Sequence, residues 1–157
     1  MYSTNYVQSG LVTGTMWDIM MKFIANGDNT VVKESSWGNY TNGNVKYTAG
    51  IGRYATVDSS SGAMTSAFTK SDGSYHYGIK TTAISENVKK KNLYDVAGNL
   101  WEWTQETAYP NNTLESYILR GGSFNSSCSD RPACCRADDT ATNTTTDHVF
   151  RPALYIK

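Results

Sequence analysis

The sequence is poor in cysteine and in charge, and it holds no long apolar run. Its three cysteines, Cys128, Cys134 and Cys135, fall close together near the carboxyl end. An odd count at such short spacing is no disulfide framework, and Cys-x5-Cys-Cys lacks the paired spacing of a zinc site, so free thiols are expected. The 14 acidic and 14 basic side chains cancel, which leaves no electrostatic footprint for nucleic acid. No apolar stretch reaches the ~18 residues of a membrane span, and no signal-peptide core is visible, so no membrane insertion is expected of these residues. Phosphate-loop and metalloprotease motifs are missing. His76 and His148 stand without a nucleophile at recognisable spacing, and adjacent Asp138 and Asp139 read first as a solvated turn.

What fills the chain is Gly, Ser, Thr, Asn and Tyr, the mix of a loop-rich domain with aromatic contacts. At 157 residues it is one domain's worth, enough to bury a core without staples. Residues 1–12 read as extended. A helix is expected from about Thr13 or Thr15 to Ile24, with Met16, Ile19, Met20, Phe23 and Ile24 at helical spacing, Trp17 beside them, and Asn26-Gly27-Asp28 closing it. That stripe reads as core. Residues 34–78 read mostly as ordered loop, with short strands around Lys46-Tyr47, Arg53–Val57 and Ser74–Ile79 and a flexible tip at Asp58–Gly62. Lys89-Lys90-Lys91 reads as a solvated edge, Thr104–Ser116 as a loop, and Tyr117–Leu119 as the start of a strand.

Residues 92–103 say most. Gly98-Asn99 is a turn pair, and Leu100-Trp101-Glu102-Trp103 reads as a strand with two indoles on one face and Glu102 on the other. Leu93, Trp17, Trp101 and Trp103 are the expected core. The run Leu93-Tyr94-Asp95-Val96-Ala97-Gly98-Asn99-Leu100-Trp101-Glu102-Trp103 resembles the signature of the formylglycine-generating enzyme, or sulfatase-modifying factor, family. Arg120-Gly121-Gly122-Ser123-Phe124 resembles its second motif, Phe150-Arg151 its closing Gly-Phe-Arg, and Leu11 to Asp18, more loosely, its helix start. The resemblance implies an α+β, C-type-lectin-like fold. The family's several strands before the helix are largely missing, so the chain reads as a version shortened at the amino end or as the carboxyl part of a larger protein.

Two site expectations follow from the resemblance. One family calcium site maps onto Asp95, the carbonyls of Gly98 and Leu100, and Glu102, all hard oxygen donors. The alternative is that Asp95 and Glu102 cap the turn through backbone amides. The family's oxidase activity uses two copper-binding cysteines five positions apart, shortly after Gly-Gly-Ser. Here those positions fall on Ser126 and Arg131, and no shift brings both onto cysteines, so a formylglycine-generating-type oxidase is disfavoured.

Residues 121–149 differ from everything before them. All Met, Trp, Gln and Glu lie before residue 121, and the only Lys beyond it is Lys157. Ser, Thr, Asp, Asn, Ala, Cys, Arg, Phe, His and Val fill the segment, each encodable by a codon ending in a pyrimidine. Randomised AAY codons give this pattern, since NNY excludes Met, Trp, Gln, Glu, Lys and stops; chance absence in a short loop-rich stretch is the alternative. The pattern resembles the variable region of proteins diversified by retroelements, carried at the carboxyl end of a C-type-lectin-like domain. It implies a receptor or adhesion domain on a phage virion or bacterial surface, binding a protein or glycan on another cell. A purely structural lectin-like domain is a further alternative. The outward, ligand-facing set expected is Phe124, Ser126, Cys128, Asp130, Arg131, Cys135, Asp138, Asp139, Thr145, Asp147 and His148. Gly122, Pro132, Ala133, Arg136 and Phe150 are the expected fixed points.

Overall fold

The computed structural model describes residues 3, 5–43, 45, 53–57, 64–69, 78–83, 85–108, 116–143 and 145–156. Strand β1 (Val7–Leu11) leads through Thr13, whose hydroxyl accepts from Met16 N at 3.1 Å, into helix α1 (Gly14–Ala25). Asn26, left-handed at φ 48°, ends the helix. The buried stripe of α1 is Trp17, Met21, Ile24 and Ala25. This is rotated from the stripe read in the sequence, and Ile19 and Phe23 are exposed. Trp17 decides the rotation: it is fully buried, and its indole N–H donates to the Ala133 carbonyl at 3.0 Å. Phe23 lies instead under the ammonium of Lys91, 4.6 Å from its ring centre.

A one-turn helix α2 (Thr30–Lys33), unforeseen in the sequence, follows. Strands β2 (Arg53–Val57), β3 (Met64–Thr69) and β4 (Ile79–Lys80) form an antiparallel sheet in the order β3-β2-β4. The expected strand at Arg53–Val57 is present, and β3 was read as loop. The expectations at Lys46-Tyr47, at Asp58–Gly62 and over most of Ser74–Ile79 lie outside the described residues. Lys89–Lys90 (β5) and Leu93–Tyr94 (β6) make a small hairpin whose turn residues, Lys91 and Asn92, both have positive φ.

The central sheet runs β10-β7-β8-β9. It is built from β7 (Trp101–Ala108), β8 (Ser116–Arg120), β9 (Arg136–Asp139) and β10 (His148–Phe150). β7 and β8 are antiparallel with a shift in register between Trp103 and Thr107, β8 and β9 are antiparallel, and β10 lies parallel to β7. β7 therefore continues through Thr104–Ala108, which the sequence reading placed in a loop. The last strand, β11 (Pro152–Ile156), returns to pair antiparallel with β1. Trp17 and Trp101 are buried as expected, while Trp103 and Leu93 are only partly covered. The architecture is α+β with short helices and much irregular chain, the C-type-lectin-like class implied by the motifs. No helix among the described residues is long and apolar enough to cross a membrane.

Candidate functional site

The carboxyl-terminal segment starts from a fixed point. Arg120 is buried at the end of β8, pairs with Asp18 on α1, and donates to the carbonyls of Cys134 and Cys135 at 3.4 Å. Gly121 O accepts from Gly98 N at 2.7 Å and from the Tyr40 hydroxyl at 2.8 Å. Gly122 has φ +76°, and a Cβ there would lie 2.3 Å from the Arg131 carbonyl. Only glycine fits both the conformation and the space.

From this anchor the chain turns through 123–135 against the core. Phe124 and Cys128 are buried, so both leave the outward set expected from the sequence. The reason is the tight fold-back after Gly122: Phe124 N donates to Asn99 O at 2.9 Å, and Cys128 N to Asn42 Oδ1 at 2.9 Å. Ala133 is fully buried, its N–H donating to the Ser35 hydroxyl, and Pro132 is half-buried. Asp130 and Arg131 are exposed on the turn, Ser126 is half-buried there, and Cys135 is half-buried. All three cysteines are free. Burial pushes the Cys134 thiol above its usual range.

β9 carries Asp138 outward, its carboxylate accepting from the Ser116 hydroxyl at 2.9 Å. Arg136, expected to be a buried or structural fixed point, is exposed but forked onto Glu106 across the sheet. Thr145 is exposed. Asp139, Asp147 and His148 come together, with His148 Nδ1 3.8 Å from Asp139 Oδ2 and Nε2 3.7 Å from Asp147 Oδ1. The imidazole stands edge-on to Trp103 at 5.2 Å. Asn125, absent from the sequence expectation, joins this group by donating to Asp147 Oδ2 at 3.3 Å. Nothing in the sequence marks Asn125 out among the chain's many asparagines.

Phe150, also among the expected fixed points, is 66 % exposed, while its neighbour Arg151 does the anchoring. Arg151 forks onto both oxygens of the buried Glu102, with Nε to Oε2 at 2.6 Å, and reaches the carbonyls of Tyr94 and Asp95 at 3.2 Å. This bears on the calcium expectation for Asp95, Gly98, Leu100 and Glu102. The guanidinium takes up both Glu102 oxygens, so one of the four expected donors is already met by a fixed cation and is not free for a calcium ion. The turn-cap alternative is not met either: the Glu102 carboxylate faces Arg151, and Asp95 is hydrogen-bonded to the Thr82 side chain while its Oδ2 is buried without a partner. Burial pushes the Asp95 carboxyl above its usual range. A copper site fits no better, because neither Ser126 nor Arg131 offers the soft thiolate that copper(I) selects.

Beside this fork lies a cleft of about 410 Å³ lined by Lys80, Asp95, Asn99, Glu102, Phe150 and Arg151, among others. Lys80 is 3 % exposed, and its ammonium donates to Asn39 Oδ1 and, at 3.4 Å, to Gly78 O. Asn99 Oδ1 accepts from Asn39 Nδ2 at 2.9 Å and from Lys80 N at 2.8 Å. This buried polar network knits the Gly98-Asn99 turn to β4, and burial brings Lys80 down to about 8. Sequence reasoning missed Lys80 and Asn39, which sit in no periodic pattern.

Comparison with known proteins places these features. Residues 22–156 match the Sulfatase-modifying factor enzyme 1-like domain. Among solved structures the chain is similar to Treponema denticola variable protein 1, with a TM-score of 0.51 and 19 % identity, over 96 % of this chain and 49 % of that one. The chain thus spans about half the length of that protein, and at this identity the likeness concerns the fold. No match was found among curated proteins.

Proposed function

The chain belongs to the sulfatase-modifying factor enzyme 1-like family, and on that premise we propose that it is a ligand-binding domain whose segment 121–149 is diversified by a retroelement. It acts as a receptor or adhesion module displayed on a phage particle or bacterial surface, and its ligand is a protein or glycan on another cell. One observation carries this reading. The break in composition at residue 121 coincides with a segment pinned at its start by the buried Arg120 to Ser123 and just past its end by Arg151 on the buried Glu102. Most side chains between the pins are exposed or half-buried. Such an arrangement lets displayed residues vary while the scaffold supplies stability. The name of the similar Treponema denticola protein, a variable protein, agrees with this. The ligand-facing set becomes Ser126, Asp130, Arg131, Cys135, Asp138, Asp139, Thr145, Asp147 and His148.

The test replaces these positions together with other pyrimidine-ending-codon residues and measures thermal stability and the set of captured cell-surface partners. Retained folding with altered partners is expected. Loss of folding in every replacement, or unchanged partners, overturns the reading. In the surrounding gene sequence, a near-copy of these codons with AAY at the varied positions, beside a reverse transcriptase, is expected. The oxidase alternative lacks a cysteine at Ser126 and at Arg131. Copper-loaded protein offered a thiol-containing peptide is expected to consume no oxygen above the copper-only control.

A further inference from the structure

Resting on that reading, we propose that the Asp139–His148–Asp147 cluster is where the binding surface takes a cationic side chain, arginine or lysine, of a protein partner. The carboxylates are held by neutral donors: Asp139 accepts from Thr140 N at 2.7 Å and Asn143 Nδ2 at 2.6 Å, and Asp147 from Asn125 Nδ2 at 3.3 Å. No lysine or arginine among the described residues pairs with either one, and Arg136, on the same strand as Asp139, is taken up by Glu106. Between them the His148 side chain is 9 % exposed, and its Nδ1 is buried without a hydrogen-bond partner. Its gaps of 3.8 and 3.7 Å are too long for hydrogen bonds, and an imidazole offsets a carboxylate only when protonated. Two oriented acceptors and an unsatisfied buried ring nitrogen therefore converge where no cation of the described residues is paired.

The surroundings favour an organic cation over a metal ion. No group of three His, Cys, Asp or Glu among the described residues is placed to hold a metal. Trp103, which packs against His148, also lines an apolar cleft of about 280 Å³ with Leu11, Thr104, Tyr117 and Ala141. Tyr117 is the register partner of Asp139, and Ala141 lies two residues beyond it. An aliphatic stem with a charged head matches an apolar cleft whose Trp103 wall packs against the imidazole between the carboxylates, as arginine and lysine side chains do elsewhere. A neutral sugar has no charge to offer the pair.

The experiment titrates the full chain with N-acetyl-arginine methylamide and with its uncharged citrulline analogue, following the His148 imidazole and Trp103 indole resonances. A saturable shift with the arginine probe is expected, weakened about tenfold or more with citrulline, the size of one charge-assisted hydrogen bond. Asp139→Asn with Asp147→Asn is expected to abolish the difference. Equal responses to the two probes, or no saturable shift, overturns the proposal; so does a saturable shift of the same resonances by zinc or by methyl mannoside. If the double variant fails to fold, the two probes on the unaltered chain still decide. Altered partners after segment replacement, without an arginine response, would sink this inference and leave the binding reading standing.

Discussion

Lys80 and Asp95 line one cleft and are pushed in opposite directions on the pH scale by the same cause, burial. Lys80 falls from 10.5 to about 8. Between those values the unfolded chain holds the proton that the folded chain has lost, so this group makes stability rise with pH across that window. Urea unfolding of the wild type and Lys80→Met, compared stepwise from pH 7.5 to pH 10, is expected to show the wild type gaining on the variant. Parallel curves would contradict it. Asp95 moves upward. Its contribution is therefore fully present below the unfolded carboxyl value, about 3.9, and is lost as pH rises through the folded one. Asp95→Asn, uncharged throughout and at ease at the φ of 53° this residue adopts, is expected to match the wild type near pH 3 and to exceed it in stability at pH 7. An Asn variant weaker than the wild type at neutral pH would mean that the Thr82 hydrogen bond and the nearby Arg151 outweigh the cost of burying the carboxylate.

Among the elements, the two pins of the carboxyl-terminal segment differ in kind. Gly122 is steric. Gly122→Ala meets backbone at the Arg131 carbonyl and a disfavoured φ, and is expected to cost at least about 2 kcal/mol in chemical denaturation. Arg151 is electrostatic. Arg151→Met strands the buried Glu102 carboxylate at a cost of about 3 kcal/mol, most of which Glu102→Leu in the same chain should restore. If the double variant is as weak as the single one, the fork holds shape and not charge. Both pins were legible as motifs, Arg120-Gly121-Gly122-Ser123 and Phe150-Arg151, because each needs one residue type for a physical reason. The identity of the fixed residue in the second was not: Phe150 is exposed and Arg151 anchors. The rotation of α1 was equally hidden. Its sequence offers two apolar faces, and only the distant Ala133 carbonyl selects the one holding Trp17.

At the scale of the molecule, Glu102, one of the expected calcium ligands, is already met by the Arg151 guanidinium, so adding calcium or EDTA is expected to leave the melting temperature unchanged. A rise of several degrees with calcium would reverse that account. Fold class was legible because the Leu93-to-Trp103 run, a turn, an alternation and two indoles, resembles a family signature that implies it. Which residues of 121–149 face outward was not, since a segment of small polar residues has no period, and its turns are set by remote partners such as Asn42 and Ser35. The last consequence concerns β1 and β11. Val7 is the register partner of Ile156, and Leu11 of Pro152. Residues 7 and 156 therefore sit side by side, and the polypeptide comes into the domain and goes out of it through one doorway. A module built this way is a ready guest: spliced into a surface loop of some host protein, it would stretch neither its own strands nor the host's.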